Sequence, residues 1–429
     1  MKMTFKLLAF LFTVCAAVTA QVVPEATAGR GLPVSGFFHY DLRYSQTADF
    51  GSSLGDWQTA NVSADADYRN GKANLPFSLN YGGGYTWTLV GPSYSTGFFQ
   101  HLLLSQGLVR RKWSVTLSDN VSYTPSAPTT GFSGVPGTGD IGGSGSPTPP
   151  TPPAPPDQTI LTVNTHTLFN AANGEFQRTL NSATTMNVSG SSSLLRYPDG
   201  NGFDTDSWNV SAGFTRHLTK RNSLTGQYSF SQNSYPGFGE TVKTNTVLAT
   251  YERQWTRRLT TNAGAGPEWV SILNSTPATS STTGGTPTTP GSPNSIRVSG
   301  NAGVTYNMRF GSAGVNYSHG TNGGAGYTFG AENDTASANF SREFNKNLTV
   351  GFTGSYMRTV GLETSGVTNG KFGGVQASRR MGRYFSAFAN YTALVQSSSA
   401  TLPANALSGL TQVFGFGIGY SPRETHLRH

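Results

Sequence analysis

Few residues of the 429-residue chain form patterns that could support catalysis or tight ligand binding. Residues 137–142, GTGDIG, match the G-x-G-x-x-G pattern of dinucleotide-binding loops. No predicted strand precedes them and no helix follows, so the match is attributed to chance. The seven histidines lack metal-ligand spacing, and no serine lies in a nucleophile elbow with a matching histidine and acid. The sequence therefore predicts no enzymatic step, no cofactor and no metal site.

A set of charged residues could instead act electrostatically on a passing solute. They alternate along the chain with apolar residues and share their rows with Ser, Thr, Asn and Gly. Charges of both signs on such rows can create a transverse field across a water-filled pore, or they can hydrate and brace its wall. The predicted pore-lining residues are His39, Asp41, Arg43, Asp65, Asp67, Glu252, Arg297 and Arg309.

The elements that must position these charges show two-residue periodicity. In residues 296–310, IRVSGNAGVTYNMRF, one row is mainly aliphatic and aromatic, and the other carries Arg, Ser, Asn, Gly and Thr. Similar rows occur at residues 75–81, 348–353 and 414–420. A strand with one apolar and one polar face separates two different solvents. The alternation therefore predicts amphipathic strands throughout the chain.

Short and long connections alternate between these strands. The eight short connections are expected near residues 70–74, 110–112, 170–175, 219–222, 256–258, 309–312, 345–347 and 381–383. The nine long ones, rich in Gly, Ser, Pro and Asn, are expected near residues 45–57, 90–97, 124–158, 198–207, 232–241, 271–295, 318–334, 358–369 and 396–410. This arrangement is typical of an all-β, transmembrane, antiparallel up-and-down β-barrel of about 18 strands (16–18), with short periplasmic turns and long outer loops.

Composition and the N-terminus agree with export to a membrane. Only 12% of residues are charged, 12% are aromatic, and the mean hydropathy of −0.31 excludes a helical membrane protein. Residues 1–20 have the order of a signal peptide, and the only cysteine, Cys15, lies within it, so no disulfide is expected in the mature chain. The expected regions are this signal peptide, a periplasmic segment 21–32, a barrel 33–420 with a Pro-rich outer loop 124–158, and a tail 421–429. The basic excess is too small and dispersed to predict nucleic-acid binding.

A recurring arginine interrupts the apolar rows just before several short turns. The residues are Arg216, Arg253, Arg342 and Arg379, and two aromatic or apolar neighbours, Trp255 and Phe344, follow in the same rows. Arginine near a membrane interface costs about 0–1 kcal/mol, against about 2–4 kcal/mol at the bilayer centre. Its stem can lie along an aromatic ring while the guanidinium reaches anionic headgroups. These six residues are predicted to mark the membrane interface. An alternative is that the arginines pair across strands at the rim of the barrel.

The chain resembles bacterial outer-membrane β-barrel proteins of the porin-like kind over about residues 33–420. Its most local element is the last predicted strand, VFGFGIGY, where Gly415, Ile418 and Tyr420 match the C-terminal assembly signal read by the barrel-insertion machinery. In trimeric porins the loop between strands five and six folds inward, and loop 124–158 has that position. The resemblance implies outer-membrane lipids, the insertion machinery and small polar solutes as partners, and it leaves a homo-oligomer open.

Three functions are compatible with this reading. The first is a passive outer-membrane channel for small polar solutes or ions. The second is a structural or surface-display barrel, or an accessory of exopolysaccharide export, whose long loops bind a partner. The third is a secreted soluble β-protein.

Overall fold

The computed structural model describes residues 36–51, 55–70, 72–91, 96–125, 166–200, 202–274, 294–324, 328–362, 366–399, 408–423 and 425–427. The predicted signal peptide 1–20, the segment 21–32 and nearly all of the Pro-rich loop 124–158 lie outside these residues. The first nine strands are β1 (Gly36–Phe50), β2 (Trp57–Asn70), β3 (Phe77–Val90), β4 (Gly97–Val109), β5 (Trp113–Pro125), β6 (His166–Asn181), β7 (Thr184–Arg196), β8 (Thr205–His217) and β9 (Asn222–Tyr235). The remaining strands are β10 (Glu240–Gln254), β11 (Leu259–Asn274), β12 (Asn294–Met308), β13 (Gly311–Asn322), β14 (Ala331–Asn345), β15 (Leu348–Gly361), β16 (Val367–Met381), β17 (Phe385–Ser398), β18 (Gly409–Tyr420) and the short β19 (Thr425–Leu427).

The strands form one closed antiparallel barrel. Each of the first seventeen strands pairs with the next along the chain, and β18 returns to β1 with Leu42 opposite Tyr420 and Phe50 opposite Gln412. The residues after Tyr420 continue this pairing, because β19 lies against the first residues of β1, with Gly36 opposite Leu427. The predicted all-β barrel of about eighteen strands is confirmed.

The strands are longer than a membrane span alone requires. Strands β1 to β18 contain 12 to 16 residues each, whereas a tilted strand crosses a bilayer with about 9–11. Several predicted loops are therefore too long: β1 continues to Phe50, and residues 236–239 alone join β9 to β10. The end of the barrel that contains turns such as 182–183 and 346–347 is called the short-turn end below, and the opposite end is the long-loop end.

The predicted short connection near residues 170–175 is wrong. These residues lie within β6, and the turn is formed by residues 182–183. The stretch NAANGE contains residues common in turns, but Asn170, Ala172 and Gly174 continue the row of Leu168 and Phe176 on one face of the strand. Pairing with β5 and β7 along the whole of β6 outweighs the local turn propensity.

The two faces of the barrel have opposite character. Large apolar side chains are exposed on the outer face, including Ile296 (75% exposed) and Phe416 (58% exposed). The inner face is mainly polar, and some of its side chains are fully buried, such as Thr411 at 0% exposure. Since this is the pattern of a wall between lipid and water, the face assignment agrees with the transmembrane type of barrel. No helix among the described residues is long and apolar enough to cross a membrane.

One polar pair interrupts the apolar outer face. Asp119 on β5 and Asn170 on β6 lie on the outer side, and the amide of Asn170 donates to Asp119 Oδ1 at 2.8 Å. Asp119 occupies a row between two aromatic residues of the same strand, Trp113 and Tyr123. The carboxyl group of Asp119 therefore lies near the middle of β5, between the aromatic residues close to its two ends.

Candidate functional site in the barrel lumen

The charged residues of the inner face are concentrated on β1 to β4. The register sets His39 opposite Asp67, and Asp41 opposite Asp65, with all four side chains on the inner face. His101 on β4 approaches from the other side, with Nε2 at 3.4 Å from Asp65 Oδ1. The sequence predicted the first four as pore-lining residues but not His101. The approach of His101 depends on the strand order, in which β3 lies between β2 and β4. On β3 the inner-face residue between Asp65 and His101 is Gly82, which has no side chain to separate them.

Hydrogen bonds and ion pairs hold this cluster against the wall. The amide of Asn80 donates to Asp67 Oδ1 at 2.6 Å. Asp41 Oδ2 lies 3.8 Å from both His39 Nδ1 and an Arg43 guanidinium nitrogen. The mixture of carboxylates, imidazoles and one arginine can orient a dipolar solute, because charges of opposite sign lie side by side. In the described part of the chain, no three His, Cys, Asp or Glu residues are arranged to hold a metal ion.

The other three predicted pore-lining residues lie in different surroundings. Glu252 is on the inner face of β10 close to the short-turn end, opposite Asn262. Arg297 is on the inner face of β12, opposite Glu268 of β11, and its guanidinium contacts the carboxylate of Glu332. Arg309 lies in the turn after β12, and its guanidinium carbon is 5.0 Å from the centroid of the Phe310 ring. The pore-lining role of the whole set stays a prediction.

Residues 320–324 at the end of β13 and residues 328–330 before β14 lie on the inner side of the wall and are together called the inward segment below. Strand β13 pairs with β12 only as far as His319, opposite Gly300. Beyond this point the backbone N–H of Thr321 donates to both carboxylate oxygens of Glu268 on β11, at 3.1 and 3.3 Å. Glu268 is only 2% exposed and belongs to the inner face. The chain must therefore cross the inner side of β12 to reach it.

Tyr235 of β9 fixes the far side of this inward segment. Its hydroxyl donates to the carbonyl oxygen of Gly323 and accepts from the backbone N–H of Gly330 at 3.2 Å. The side chain is fully buried at 0% exposure and packs with Val242 and Val270 of the inner face. Because both hydrogen bonds reach the same connection, one tyrosine anchors its entry and its exit.

Aromatic rings from three connections complete the anchor. Phe329 of the inward segment lies 5.1 Å from the Tyr235 ring and 5.0 Å from both Phe203 and Phe238, between ring centroids. Phe203 comes from the connection between β7 and β8, and Phe238 from that between β9 and β10. This cluster, Phe203, Tyr235, Phe238 and Phe329, is called the aromatic anchor below. The aromatic anchor narrows the lumen at the long-loop end. The resemblance to trimeric porins had instead suggested that loop 124–158 folds inward.

Ion pairs extend from the inward segment along the outer-face rows of β14 and β15. His319 Nδ1 lies 2.8 Å from Asp334 Oδ1, and its Nε2 lies 3.6 Å from Glu332 Oε1. Arg358 on β15 approaches Asp334 Oδ2 at 3.3 Å. With the Arg297–Glu332 contact, these residues connect the base of the inward segment to the walls on both sides. Neither Glu332 nor Asp334 was predicted, because their importance depends on the bend after His319.

The predicted interface residues lie on the outer face at the short-turn end. Arg216, Arg253, Arg342 and Arg379 are all exposed there, on strands that lead into short turns. The guanidinium carbon of Arg253 is 3.8 Å from the Trp255 ring centroid, and that of Arg342 is 5.3 Å from the Phe344 centroid. These contacts agree with a stem that follows an aromatic ring. The interface role itself is not tested and stays a prediction.

A fifth arginine belongs to this set. Arg178 lies on the outer face of β6, opposite Trp113 and Met186, and it is exposed. The stretch FQRTL, residues 176–180, has the same order of aromatic, arginine and apolar residue. Sequence reasoning missed it because a turn was expected at residues 170–175. The motif itself was the signal that could have found it.

The predicted assembly-signal residues lie on β18. Ile418 and Tyr420 face outward, and the Tyr420 ring lies 5.2 Å from Phe385 and 6.3 Å from Tyr40. Gly415 faces inward, beside the amide group of Asn390 on β17. Strand β18 closes the barrel against β1, so the segment lies at the closing seam of the sheet. Its recognition by an insertion machinery stays a prediction.

No family model matches the chain, and no curated protein matches it. Among solved structures, Pseudomonas aeruginosa OccK2 (OpdF) is similar with 11% identity, a TM-score of 0.48, and coverage of 91% of this chain and 99% of that one. P. aeruginosa OpdQ has 12% identity, a TM-score of 0.47, and coverage of 90% and 98%. Acinetobacter baumannii OccAB4 has 9% identity, a TM-score of 0.46, and coverage of 92% and 99%. At these identities and TM-scores the likeness adds nothing to the fold described above.

Proposed function

We propose that the protein is an outer-membrane channel through which small polar solutes or ions diffuse passively. The observation that carries this proposal is the closed barrel of eighteen long strands with an apolar outer face and a polar inner face. A barrel of this size is too wide for its wall side chains to fill, so water occupies the interior. The signal-peptide pattern of residues 1–20 supports export to the outer membrane.

The inward segment and the charged cluster support selective passage rather than a wide, open pore. The aromatic anchor takes up space at the long-loop end, so a solute must pass beside it. Carboxylates and histidines on β1 to β4 lie across the lumen from β10 to β13, whose inner face carries Glu252, Glu268 and Arg297. A solute in this space meets a field across the lumen, as in channels that orient dipolar solutes.

Release of trapped solutes from vesicles tests this proposal. Purified, folded protein is reconstituted into lipid vesicles loaded with a small polar dye, and efflux is compared with vesicles containing heat-denatured protein. Folding is checked independently by the difference in gel mobility between heated and unheated samples. Efflux of small but not of large dyes supports the channel. A folded protein that releases no dye would overturn it.

The second candidate is a structural or surface-display barrel, or an accessory of polysaccharide export. The occupied long-loop end of the lumen is the observation that favours it, because an obstructed barrel suits a scaffold better than a conduit. This candidate predicts normal solute permeability in a deletion strain together with loss of a surface polymer or of adhesion. The channel predicts reduced permeability with the surface unchanged.

A further inference from the structure

A series of carboxamide side chains follows the inner wall, each beside an inner-face glycine of a neighbouring strand. The register sets Asn262 opposite Gly303 and Gly303 opposite Asn316, across β11, β12 and β13. The same juxtaposition continues around the barrel. The further pairs are Asn187 with Gly213, Asn339 with Gly314, Gln376 with Gly351, and Asn390 with Gly415. These carboxamides, Asn187, Asn262, Asn316, Asn339, Gln376 and Asn390, are called the carboxamide girdle below.

The glycines are needed because the amides lie over them. A Cβ atom on Gly303 would lie 2.8 Å from Asn316 Oδ1 and would also overlap the Asn262 oxygen. On Gly314 it would lie 2.7 Å from Asn339 Oδ1 but 3.7 Å from Nδ2. At these two glycines the amide oxygen occupies the space left by the glycine, whereas beside Gly351 the nearest atom is Gln376 Nε2, at 3.0 Å from the position of a Cβ. Each amide keeps close to the wall and leaves the lumen wide.

Part of the wall that carries the girdle is uncharged, whereas Glu252 lies opposite Asn262 on the inner face. On the described parts of β13, β15, β17 and β18, the inner-face residues are Ser, Thr, Asn, Gln and Gly with a few apolar side chains. An ion that leaves bulk water here gains no opposite charge to replace its hydration. A neutral solute with many hydroxyl groups faces no such penalty, and it can exchange hydrogen bonds with water for bonds to amides and hydroxyls.

Two amide oxygens of the described wall are buried without a hydrogen-bond partner, which lowers the stability of the barrel. Oδ1 of Asn390 in the girdle, and Oδ1 of Asn301 next to it on β12, are buried without a hydrogen-bond partner in the described part of the chain. A buried polar atom without a partner costs more than an apolar or small residue at the same position. Asparagine at these two positions is therefore unfavourable for the stability of the wall.

We propose that the carboxamide girdle binds neutral, polyhydroxylated solutes of the saccharide class as they pass through the lumen. This inference rests on the proposed channel function and names its solute class. Binding is weak and repeated, because each amide offers one or two hydrogen bonds and the next amide follows on a neighbouring strand. Such a series favours neutral saccharides over saccharide acids of the same size, because the carboxylate of an acid would meet the uncharged inner faces of β13, β15, β17 and β18 and the carboxylate of Glu252.

Inhibition of ion current by saccharides in planar bilayers tests this inference. A neutral oligosaccharide such as maltotriose is expected to reduce the ion current through the wild-type channel in a concentration-dependent manner, and a saccharide acid of similar size to reduce it less. In the triple variant Asn262→Ala, Asn316→Ala and Asn339→Ala, the half-blocking concentration should rise by about two- to tenfold for each amide removed. Asn245→Ala is the matched control, since Asn245 is a carboxamide on the outer face.

The outcomes separate the two proposals. Conductance without any saccharide block in the wild type would overturn the saccharide inference and leave the channel standing, whereas no conductance at all would overturn the channel. Equal block in the triple variant and the wild type would show that saccharides bind elsewhere. If the triple variant fails to fold, Asn316→Asp keeps the side-chain shape and adds a charge. It should weaken the block by neutral saccharide and raise the permeability ratio of cations to anions, and a wild-type profile for it would overturn the inference.

Discussion

Removal of the Tyr235 side chain should release the inward segment and enlarge the channel. Tyr235 is fully buried, and its hydroxyl bonds to Gly323 and Gly330 at the two ends of that segment. Tyr235→Phe removes both hydrogen bonds and leaves the ring in place. Tyr235→Ala also removes the ring that packs against Phe329. The two substitutions therefore separate the hydrogen bonds from the aromatic packing.

The magnitudes follow from these two contributions. Loss of the hydroxyl leaves a buried N–H without its partner, which costs about 1–3 kcal/mol. Truncation of a buried aromatic side chain to alanine costs about 3–5 kcal/mol. Since about 1.4 kcal/mol corresponds to a tenfold change in an equilibrium constant, Tyr235→Phe should raise the ratio of released to anchored segment roughly 5- to 150-fold. For Tyr235→Ala the ratio should rise by more than roughly 100-fold.

Single-channel recording in planar bilayers measures this equilibrium directly. The wild type should show one main conductance level, Tyr235→Phe additional transitions to a larger level, and Tyr235→Ala occupancy of the larger level for most of the time. Tyr228→Phe is the matched control, because its hydroxyl bonds to Asn245 on the outer face at 2.7 Å and should not affect the current. A folded Tyr235→Ala variant with the conductance and noise of the wild type would refute the reasoning.

Three further predictions concern the wall. Gly266→Ala should lower the free energy of unfolding in urea titrations by about 1–3 kcal/mol, because the new Cβ would overlap the backbone carbonyl of Val247. Gly226→Ala is the control and should be neutral, since no atom lies within 4 Å of its new Cβ. Equal effects of the two substitutions would contradict the packing described. The double variant Asp119→Leu and Asn170→Leu should raise the free energy of unfolding in vesicles by about 1 kcal/mol or more, since it removes a carboxyl group from the lipid-facing side. A loss of stability would instead show that the pair has a protein partner on the outer face. Replacement of the five outer-face arginines by alanine should slow insertion into vesicles with anionic headgroups more than insertion into vesicles with zwitterionic headgroups. The corresponding lysine variant should insert at a rate near that of the wild type. The same slowing in both lipids would rule out headgroup contact. The arginines are Arg178, Arg216, Arg253, Arg342 and Arg379.

The architecture could be predicted from the sequence because the barrel wall separates two solvents. That condition places apolar and polar residues alternately along each strand, as in residues 296–310, and it acts on every strand independently. The face of each side chain could therefore be assigned before its neighbours were known. Turn positions were less secure, since the stretch around Asn170 has the composition of a turn yet pairs on both sides as part of β6.

The lumen could be predicted only in part. Alternation assigned Asp41, Asp65 and Asp67 to the inner face, but the approach of His101 depends on which strands are neighbours. The inward segment depends on contacts between residues far apart in the chain, above all Tyr235 with Gly323 and Gly330. No local pattern reports such contacts. The pairing of asparagine with glycine across strands is likewise visible only once the register is known.

Recording of single-channel current from purified, folded protein in a planar bilayer tests the central claim most directly. The account predicts stepwise increases in current on addition of the protein, with a reproducible unit conductance that heat-denatured protein lacks. A protein that shows the gel mobility of a folded barrel, inserts into the bilayer and yet produces no current above background would contradict it.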